Sequence, residues 1–317
     1  MTWKVKKYLI IFVPALLVLI SAAFAGEERP LTAADKRVDS LFVVASSGVL
    51  QYRNAPEQAE AFDSIVAMGS EAVPRLVEKY NSKSARERHT VNNIFVDIGS
   101  EAVPYLRQSL FIDDSRQIAR ICYTLGEIKD SSAVPDIISI AVHDDWWVRS
   151  GCAGALGKIG DTSANAAIIS LLSDSVENVR KSAAVAAGEL MTPDAVEILV
   201  HCLGDPFYGV RMCASEALIK FGEEALKPIV DSLESDNVML GNLGCTTLGL
   251  IGGEAAAFGV ARQLESIMPI RRALAVEAIG NSNAPLACGF VDLIKETETD
   301  PMVLLYIEKT IKKYAER

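Results

Sequence analysis

Histidine is scarce in this sequence, with only three in 317 residues. They are His89, His143 and His201, and they lie in widely separated stretches of the chain. A zinc site in a protein normally uses histidines or cysteines at a short paired spacing. None of the three histidines belongs to such a pair, so the sequence predicts no metal site.

Motifs for nucleotide binding and for nucleophilic catalysis are also missing. No glycine-rich phosphate loop joins a strand to a helix, and the Ser-x-Gly patterns lack the strand-to-helix setting of a nucleophile elbow. Asp113-Asp114 and Asp144-Asp145 could bind Ca²⁺ weakly, but they lack the ligand series of a dedicated loop and more simply cap helices. We therefore expect no cofactor, no catalytic residue and no enzymatic activity.

The sequence also lacks an excess of positive charge. The net charge is −10, and it becomes about −13 if residues 1–25 are removed, because that segment carries three lysines and no acid. An acidic protein is a poor ligand for nucleic acid or for an anionic membrane surface. Protein, peptide, cation and neutral glycan partners remain, and we expect a protein or a peptide.

One long hydrophobic run stands at the N-terminus. Lys4, Lys6 and Lys7 precede an apolar stretch at residues 9–23, and Ala23 and Ala25 form a small-x-small cleavage site. The alternative is an uncleaved anchor, although the run is at the lower edge of the roughly 20 residues that a spanning helix needs. We expect an export signal at residues 1–25 that is cleaved after Ala25, a periplasmic or secreted protein, and no stable membrane insertion after cleavage.

The remaining sequence is organised around a helix at residues 145–161. Val148, Cys152 and Leu156 lie at helical spacing on one face. Asp145 can cap the start of the helix, and Gly160 can end it in a left-handed conformation. The segment is therefore predicted to be an amphipathic α-helix with a defined start and end.

Weaker copies of this helix recur along the chain. The steps between them are 31, 31, 31, 30 and 31 residues. The copies are centred on Leu125-Gly126, Leu156-Gly157, Ala187-Gly188, Leu218-Ile219, Leu248-Gly249 and Ile279-Gly280. A fixed period in this range, with two helical segments in each period, is typical of a helical solenoid.

The second helix of each repeat is marked by proline. Pro74, Pro104 and Pro135 each follow an Ala-Val pair, and Pro228 occurs in a shifted version of the pattern. Proline is tolerated in the first helical turn because its missing amide would have no partner there. Each repeat is thus predicted to contain a proline-started helix, a short turn and a longer helix.

Three successive repeats share a further set of motifs. These are Asp174, Val179-Arg180, Ala183-Ala184 and Ala187-Gly188, with Asp205, Val210-Arg211, Ala214 and Leu218 in the next repeat and Val148-Arg149, Ala153, Leu156-Gly157 and Gly160-Asp161 in the previous one. On these motifs the chain resembles HEAT-like repeats, in the short form also found in phycobilisome lyases, over roughly residues 60–290. The resemblance implies an all-α, right-handed α-solenoid of about eight to nine antiparallel helix pairs, with the second helices on the concave wall.

We divide the chain by this pattern. Residues 26–61 are predicted to form an atypical N-terminal capping unit, residues 62–290 the repeat array, and residues 291–317 a C-terminal capping helix. Within these segments helices are expected over residues 33–45, 57–68, 290–295 and 302–314. Terminal repeats are often atypical because one of their faces has no neighbour.

A column of arginines occupies equivalent positions in the long helices. Its members are Arg88, Arg149, Arg180, Arg211 and Arg272, and Ile118 and Gly241 replace arginine in two repeats. Asp174 and Asp205 accompany the column, so we expect a structural ladder of ion pairs between repeats, as the HEAT resemblance also implies. The alternative is a row of arginines that binds an acidic ligand.

An aromatic cluster is expected at the surface. Trp146, Trp147, Phe207 and Tyr208 lie at or just after the turn that precedes a long helix, away from its apolar stripe. With Asp144 and Asp145 beside the tryptophans, they are predicted to bind a partner. The alternative is that the rings pack on neighbouring turns.

Six cysteines follow the predicted signal. An exported location permits disulfides. Equivalent residues on stacked helices, however, should lie about 8–10 Å apart, beyond the roughly 7 Å that a disulfide spans. We therefore expect buried free thiols.

Together these features predict an exported, non-catalytic scaffold for protein–protein interaction in the cell envelope. The resemblance implies an alternative activity, that of a bilin lyase-like enzyme or a tetrapyrrole-binding protein. HEAT-like metal hydroxylases carry His-Glu pairs, whereas the histidines here are followed by Thr90, Asp144 and Cys202. A third possibility is a structural component of an envelope assembly.

Overall fold

A computed structural model describes residues 29–47 and 56–316. This part of the chain contains eighteen α-helices joined by short 3₁₀-helices and turns, and it has no strand. The chain divides into two compact units, residues 1–94 and residues 95–317. We describe each unit by itself. None of the helices in the described ranges is long and apolar enough to span a bilayer.

Unit 1 contains α1 (Ala33–Ala45), α2 (Pro56–Val66), α3 (Val73–Lys79) and most of α4 (Ala85–Ile98). The first helix begins with a capping box, in which the Thr32 side chain accepts from the amide of Asp35 and the Asp35 carboxylate accepts from the amide of Thr32. The predicted helix at residues 33–45 matches α1. Residues 48–55, where the sequence predicted a break, lie outside the described ranges.

Unit 2 alternates short and long helices. Within this unit, consecutive long helices pack against each other. The short helices are α5 (Val103–Gln108), α7 (Val134–Ile140), α9 (Asn165–Leu171), α11 (Val196–Cys202), α13 (Glu223–Ser232), α15 (Gly253–Ala261) and α17 (Cys288–Lys295). The long helices are α6 (Ser115–Ile128), α8 (Trp146–Ile159), α10 (Glu177–Leu190), α12 (Tyr208–Phe221), α14 (Val238–Ile251), α16 (Pro269–Asn281) and α18 (Pro301–Ala315). The predicted all-α solenoid fold is confirmed.

The ends of the long helices follow the local sequence. The Asp145 carboxylate accepts a hydrogen bond from the amide of Trp147 at 2.9 Å, which caps α8. Gly160 ends the same helix with a left-handed φ of 77°. At the ends of α6 and α10 the chain lacks glycine, and Lys129 and Met191 take left-handed φ values of 61° and 50° instead.

Three short helices begin with proline as expected, whereas the other short helices of unit 2 do not. Pro74, Pro104 and Pro135 lie in the first turns of α3, α5 and α7. The prediction for Pro228 was wrong, because α13 begins at Glu223 and contains the proline in its interior. This helix follows Gly222 directly, without the 3₁₀ turn that precedes the proline helices, so it starts earlier in the chain.

The recurrent glycines allow the backbones of neighbouring long helices to touch. A methyl group placed on Gly126 would lie 3.0 Å from Ala155 Cα, and one on Gly188 would lie 2.9 Å from Ala217 Cα. Real side chains rarely approach so closely, so these positions require glycine for packing rather than for backbone conformation. The Leu-Gly repeat of the sequence is therefore the line along which successive repeats meet.

Candidate functional site

The arginine column forms ion pairs between successive repeats of unit 2. Arg149 donates from Nε and Nη2 to the Asp174 carboxylate at 2.6 and 2.9 Å. Its Nη1 donates to the carbonyls of His143 and Asp144, both at 2.8 Å. The same carboxylate accepts from the Val176 amide. One guanidinium thus joins the turn of its own repeat to the turn of the next repeat.

The next pair repeats this geometry. Arg180 donates to the Asp205 carboxylate at 2.7 and 3.0 Å and to the carbonyls of Asp174 and Ser175. Both side chains are largely buried, with 13% of Arg180 and 8% of Asp205 exposed. The Arg180 guanidinium also lies 5.7 Å from the centre of the Phe207 ring. Bidentate, partly desolvated pairs of this kind are the strong class of ionic hydrogen bond.

The ladder ends with an acid that the sequence analysis did not identify. Arg272 donates to the Glu298 carboxylate at 2.7 and 2.9 Å and to the Ser266 carbonyl at 2.8 Å. Hydrogen bonds from Arg272 are the largest reason that the pKa of Glu298 falls to about 2. In the same way, hydrogen bonds from Arg149 lower the pKa of Asp174. The sequence did contain a signal for this acid, which lies just before the Asp300 cap. Glu298 follows Arg272 at nearly the same spacing by which Asp174 follows Arg149 and Asp205 follows Arg180.

Two members of the column make no ion pair with an acid among the described residues, and their hydrogen bonds go to carbonyls. Arg211 donates to the carbonyls of Asp205 and Pro206 at 2.8 and 3.0 Å. In unit 1, Arg88 donates to the Ser82 carbonyl at 2.7 Å. Asp205 therefore binds two arginines of the column. Its carboxylate accepts from Arg180, and its carbonyl accepts from Arg211.

The gap at Gly241 is filled from the following repeat. Arg271 is only 7% exposed, and its guanidinium occupies the space that a Gly241 side chain would need. It donates to the carbonyls of Leu233 and Val238 at 3.2 and 3.4 Å and to the Asn242 side chain at 3.4 Å. An arginine from α16 therefore fills the space beside Gly241, but it bonds to carbonyls other than those of Ser235 and Asp236, which lie at the positions that the column arginines contact in their own repeats.

Glu298→Gln should make the stability of the chain less dependent on pH. Because the carboxyl pKa is about 2 in the native state against an ordinary 4.5, the unfolded chain binds the proton more readily. The ionised Glu298 carboxylate therefore contributes its full stabilisation above roughly pH 5, and this stabilisation is lost as the pH falls through 4.5 towards 2. We expect the variant to unfold at a lower urea concentration than the wild type at pH 7, with a smaller difference at pH 3.

The control for this experiment is Glu296→Gln, since Glu296 is exposed and lies two positions earlier in the chain. It should unfold with the wild type at both pH values. A deficit for Glu298→Gln that stays constant from pH 7 to pH 3 would contradict the assigned role of the carboxylate.

The predicted aromatic residues lie at the starts of two long helices. Trp146 and Trp147 open α8 and stack on each other, with ring centres 4.7 Å apart and planes 27° from parallel. The Trp147 side chain is 54% exposed, and Phe207 and Tyr208 at the start of α12 are 47% and 68% exposed. The intervening helix α10 starts with polar residues, so the structure places the two pairs along one edge but not in one cluster.

The two acids beside the tryptophans have different roles. The Asp145 carboxylate caps α8, and the hydrogen bond from the Trp147 amide is the main cause of its lowered pKa. The Asp144 side chain is exposed, while its carbonyl accepts from Arg149. Only Asp144 therefore offers its charge to a ligand.

The same edge carries exposed apolar residues that the sequence analysis missed. They lie in the first turns of α14 and α16 or in the turn before α16, in the two repeats that follow the Phe207-Tyr208 pair. We call this set the apolar edge, and its members are Trp147, Phe207, Tyr208, Val238, Met239, Ile267 and Ile270. The period of the repeat could have predicted Val238, Met239, Ile267 and Ile270, because they recur at about the same position in later repeats.

The six cysteines are all free thiols in the structure. The side chains of one pair nevertheless reach each other, since Cys122 Sγ and Cys152 Sγ lie 4.0 Å apart. Within the described ranges, no three His, Cys, Asp or Glu side chains gather in a way that could hold a metal ion.

Comparison with known proteins supports the type of repeat. Residues 113–187 and 165–241 match the family model for HEAT repeats. A search of curated protein sequences gives no significant match. The family match falls on the repeats that contain Arg149, Arg180 and Arg211.

Solved structures agree on the fold. The karyopherin Kap121p, bound to the C-terminus of the protein phosphatase Cdc14p, has a TM-score of 0.59 at 13% identity, over 93% of this chain and 39% of that one. YibA of Escherichia coli has a TM-score of 0.50 at 15% identity, over 84% and 100% of the two chains. At such low identity these likenesses show the fold alone.

The phycocyanin lyase subunits CpcE and CpcF from Nostoc are similar at a TM-score of 0.40 and 19% identity, over 71% of this chain and 94% of that one. Residues 113–241 thus match HEAT repeats in sequence, and they lie within an all-helical solenoid.

Proposed function

We propose that this protein is an exported, non-catalytic scaffold that binds a protein or peptide partner along the apolar edge. The observation that carries the proposal is the exposure of large apolar side chains at or just before the starts of α8, α12, α14 and α16. Tyr208 is 68% exposed and Ile267 is 95% exposed. Contiguous exposed apolar surface on a soluble protein commonly marks an interaction site.

The ladder gives this edge a fixed spacing. Arg180 and Asp205 hold the turns on either side of Phe207, and the Phe207 amide donates to the Asp205 carboxylate at 2.8 Å. An exposed ring on such a support loses little conformational freedom when a partner binds. A ladder that holds the turns in place, rather than a ligand, accounts for the arginines, which favours the structural role expected for the column.

The charges near the apolar edge indicate the chemistry of the partner. Asp144, Asp236 and Glu265 are exposed in the turns that precede α8, α14 and α16. Acidic side chains beside apolar ones suit a segment with apolar residues flanked by lysine or arginine. Kap121p, which has a similar fold, was solved bound to the extreme C-terminus of Cdc14p, to Nup53p and to Ste12p, so a solenoid of this kind can bind protein partners.

The perturbed carboxyl groups support a non-catalytic role. Strongly shifted pKa values often mark a catalytic site, but here each has a structural cause. Arg272 lowers the pKa of Glu298, Arg149 lowers that of Asp174, and the helix cap lowers that of Asp145. These groups are held ionised for structure and are not held ready to exchange protons.

Export rests on the sequence of residues 1–25, which lie outside the described ranges. The basic start, the apolar run and the site at Ala23 and Ala25 favour a cleaved signal and a location in the periplasm or outside the cell. N-terminal sequencing of the protein from its native host should give Gly26 as the first residue. A chain that starts at Met1 would refute cleavage.

Replacing both Trp146 and Trp147 by alanine should greatly weaken partner binding. Buried tryptophans at interfaces commonly contribute about 2 kcal/mol or more, which is roughly a 30-fold loss of affinity. The measurement is affinity capture from a native envelope extract, with mass spectrometry of the bound proteins and a titration of the partner so identified.

The matched control is Leu293→Ala, which removes a side chain that is 67% exposed on α17, away from the apolar edge. It should bind the partner as the wild type does. Both variants should keep the melting temperature within a few degrees of the wild type. Undiminished partner binding by the double tryptophan variant would refute the proposed surface.

A further inference from the structure

Two fully buried thiols touch between consecutive repeats. Cys122 on α6 and Cys152 on α8 have no exposed surface, and their Sγ atoms are 4.0 Å apart. They are separated by 30 residues in sequence. To form a disulfide, the distance between the two Sγ atoms must shorten to about 2 Å. A rotation of the side chains and a small approach of the two helices would achieve this.

The backbones around the thiols already lie close together. A methyl group on Gly126 would be 3.0 Å from Ala155 Cα, and one on Gly151 would be 3.2 Å from Ala119 Cα. These two contacts lie on either side of the cysteines along both helices. Glycine and alanine therefore let the backbones of α6 and α8 come into contact on both sides of the two thiols.

We propose that Cys122 and Cys152 form a disulfide that links the two repeats when the protein folds in an oxidising compartment. The oxidant is an external disulfide, either a small-molecule disulfide or that of a thiol oxidase. One cysteine thiolate attacks it, which gives a mixed disulfide and releases one external thiolate. The second cysteine thiolate then attacks the mixed disulfide, forms the Cys122–Cys152 bond and releases the second external thiolate.

In this exchange two protein thiols are oxidised, and one external disulfide is reduced to two thiols. The two protons leave the cysteines and protonate the released thiolates when those thiols are neutral. In the cell this inference rests on the proposed export, because only an oxidising compartment supplies the oxidant. It does not depend on partner binding, and refolding of the purified chain tests it separately from export.

Burial of the two thiols determines the stage of folding at which the disulfide can form. The pKa of the Cys152 thiol is raised well above its ordinary value, first by the hydrogen bond with Cys122 and then by burial. The reactive thiolate is therefore scarce once α6 and α8 have packed. Exchange takes place while the repeats are open during folding, and packing then shields the bond from reductants.

The other cysteines provide a contrast within the same fold. Cys245 on α14 is as deeply buried as this pair, but no second thiol lies beside it within the described residues. Burial raises its pKa to about 12. A link restricted to one pair of the six cysteines is thus a specific expectation.

The test is to refold the full chain from denaturant in a glutathione buffer that contains oxidised glutathione, and to alkylate it in denaturant without reductant. Intact mass should show four alkylated cysteines, against six after reduction. Tryptic digestion should yield one linked species made of residues 121–129 and 150–158. Oxidation should raise the melting temperature by roughly 5–10 °C, because the link closes a loop in the unfolded chain.

Two variants make the assignment specific. Cys152→Ala carries the residue found at the equivalent buried position Ala183, and it should give five alkylated cysteines with no oxidant-dependent rise in melting temperature. Cys245→Ala should keep the linked peptides. Six alkylated cysteines in the refolded wild type, or a link that joins any other pair, would overturn the proposal.

Discussion

Replacing Asp205 by alanine is expected to lower the free energy of unfolding by about 2–3 kcal/mol, the range for a charged group left without its partner at a largely buried site. The substitution removes the carboxylate that accepts two hydrogen bonds from Arg180 and one from the Phe207 amide. Arg180 would keep its two carbonyl acceptors, but its charge would remain desolvated. Urea unfolding of the full chain measures the loss.

The matched control is Asp236→Ala. Asp236 follows Arg211 at the same spacing by which Asp205 follows Arg180, but it is exposed and makes no described ion pair. Its removal should change the free energy of unfolding by less than about 0.5 kcal/mol. Equal losses for the two variants would mean that the ladder pair contributes nothing beyond an ordinary surface acid.

A double-mutant cycle separates the pair from its two members. Arg180→Met removes the charge and keeps most of the apolar side chain. Because the Asp205→Ala cost comes mainly from the orphaned guanidinium, the double variant should be less destabilised than the sum of the single variants. Additive losses would place the effect in the lost cap of the Phe207 amide instead.

The helices and the ladder could be predicted because both depend on spacing along the chain. The regular period places Arg149 and Arg180 at one position of successive long helices, and the aspartate that pairs with each arginine falls in the turn of the next repeat. Local chemistry then fixes the ends of the helices, as for Asp145 and Gly160. These features need no knowledge of the distance between repeats.

The features that could not be predicted depend on how closely the repeats approach. Arg271 occupies the place of a missing side chain at Gly241, and no spacing rule links those two residues. The thiols of Cys122 and Cys152 touch because glycines beside them reduce the helix separation. In each case the sequence contains the residues, but their contact results from packing between repeats.

The same packing gives opposite expectations for two glycines within long helices. In an exposed helix interior, alanine is favoured over glycine by about 1 kcal/mol, because it loses less backbone entropy. Gly154 on α8 has open space where a methyl group would lie, with nothing within 4 Å. Gly154→Ala is therefore expected to stabilise the chain by up to about 1 kcal/mol.

At Gly249 on α14 the added methyl group would lie 2.5 Å from Ala278 Cα and 2.9 Å from Ala278 Cβ. The clash is with the backbone of α16, so no side-chain rotation relieves it, and the two helices must move apart. Overpacking of this kind costs about 1–3 kcal/mol and sometimes more, which exceeds the helix-propensity gain. Gly249→Ala should therefore lower the melting temperature, while Gly154→Ala raises it. A rise for both variants would mean that helix propensity, and not contact between repeats, determines where glycine is needed. A fall for Gly154→Ala would contradict the open space found at that position.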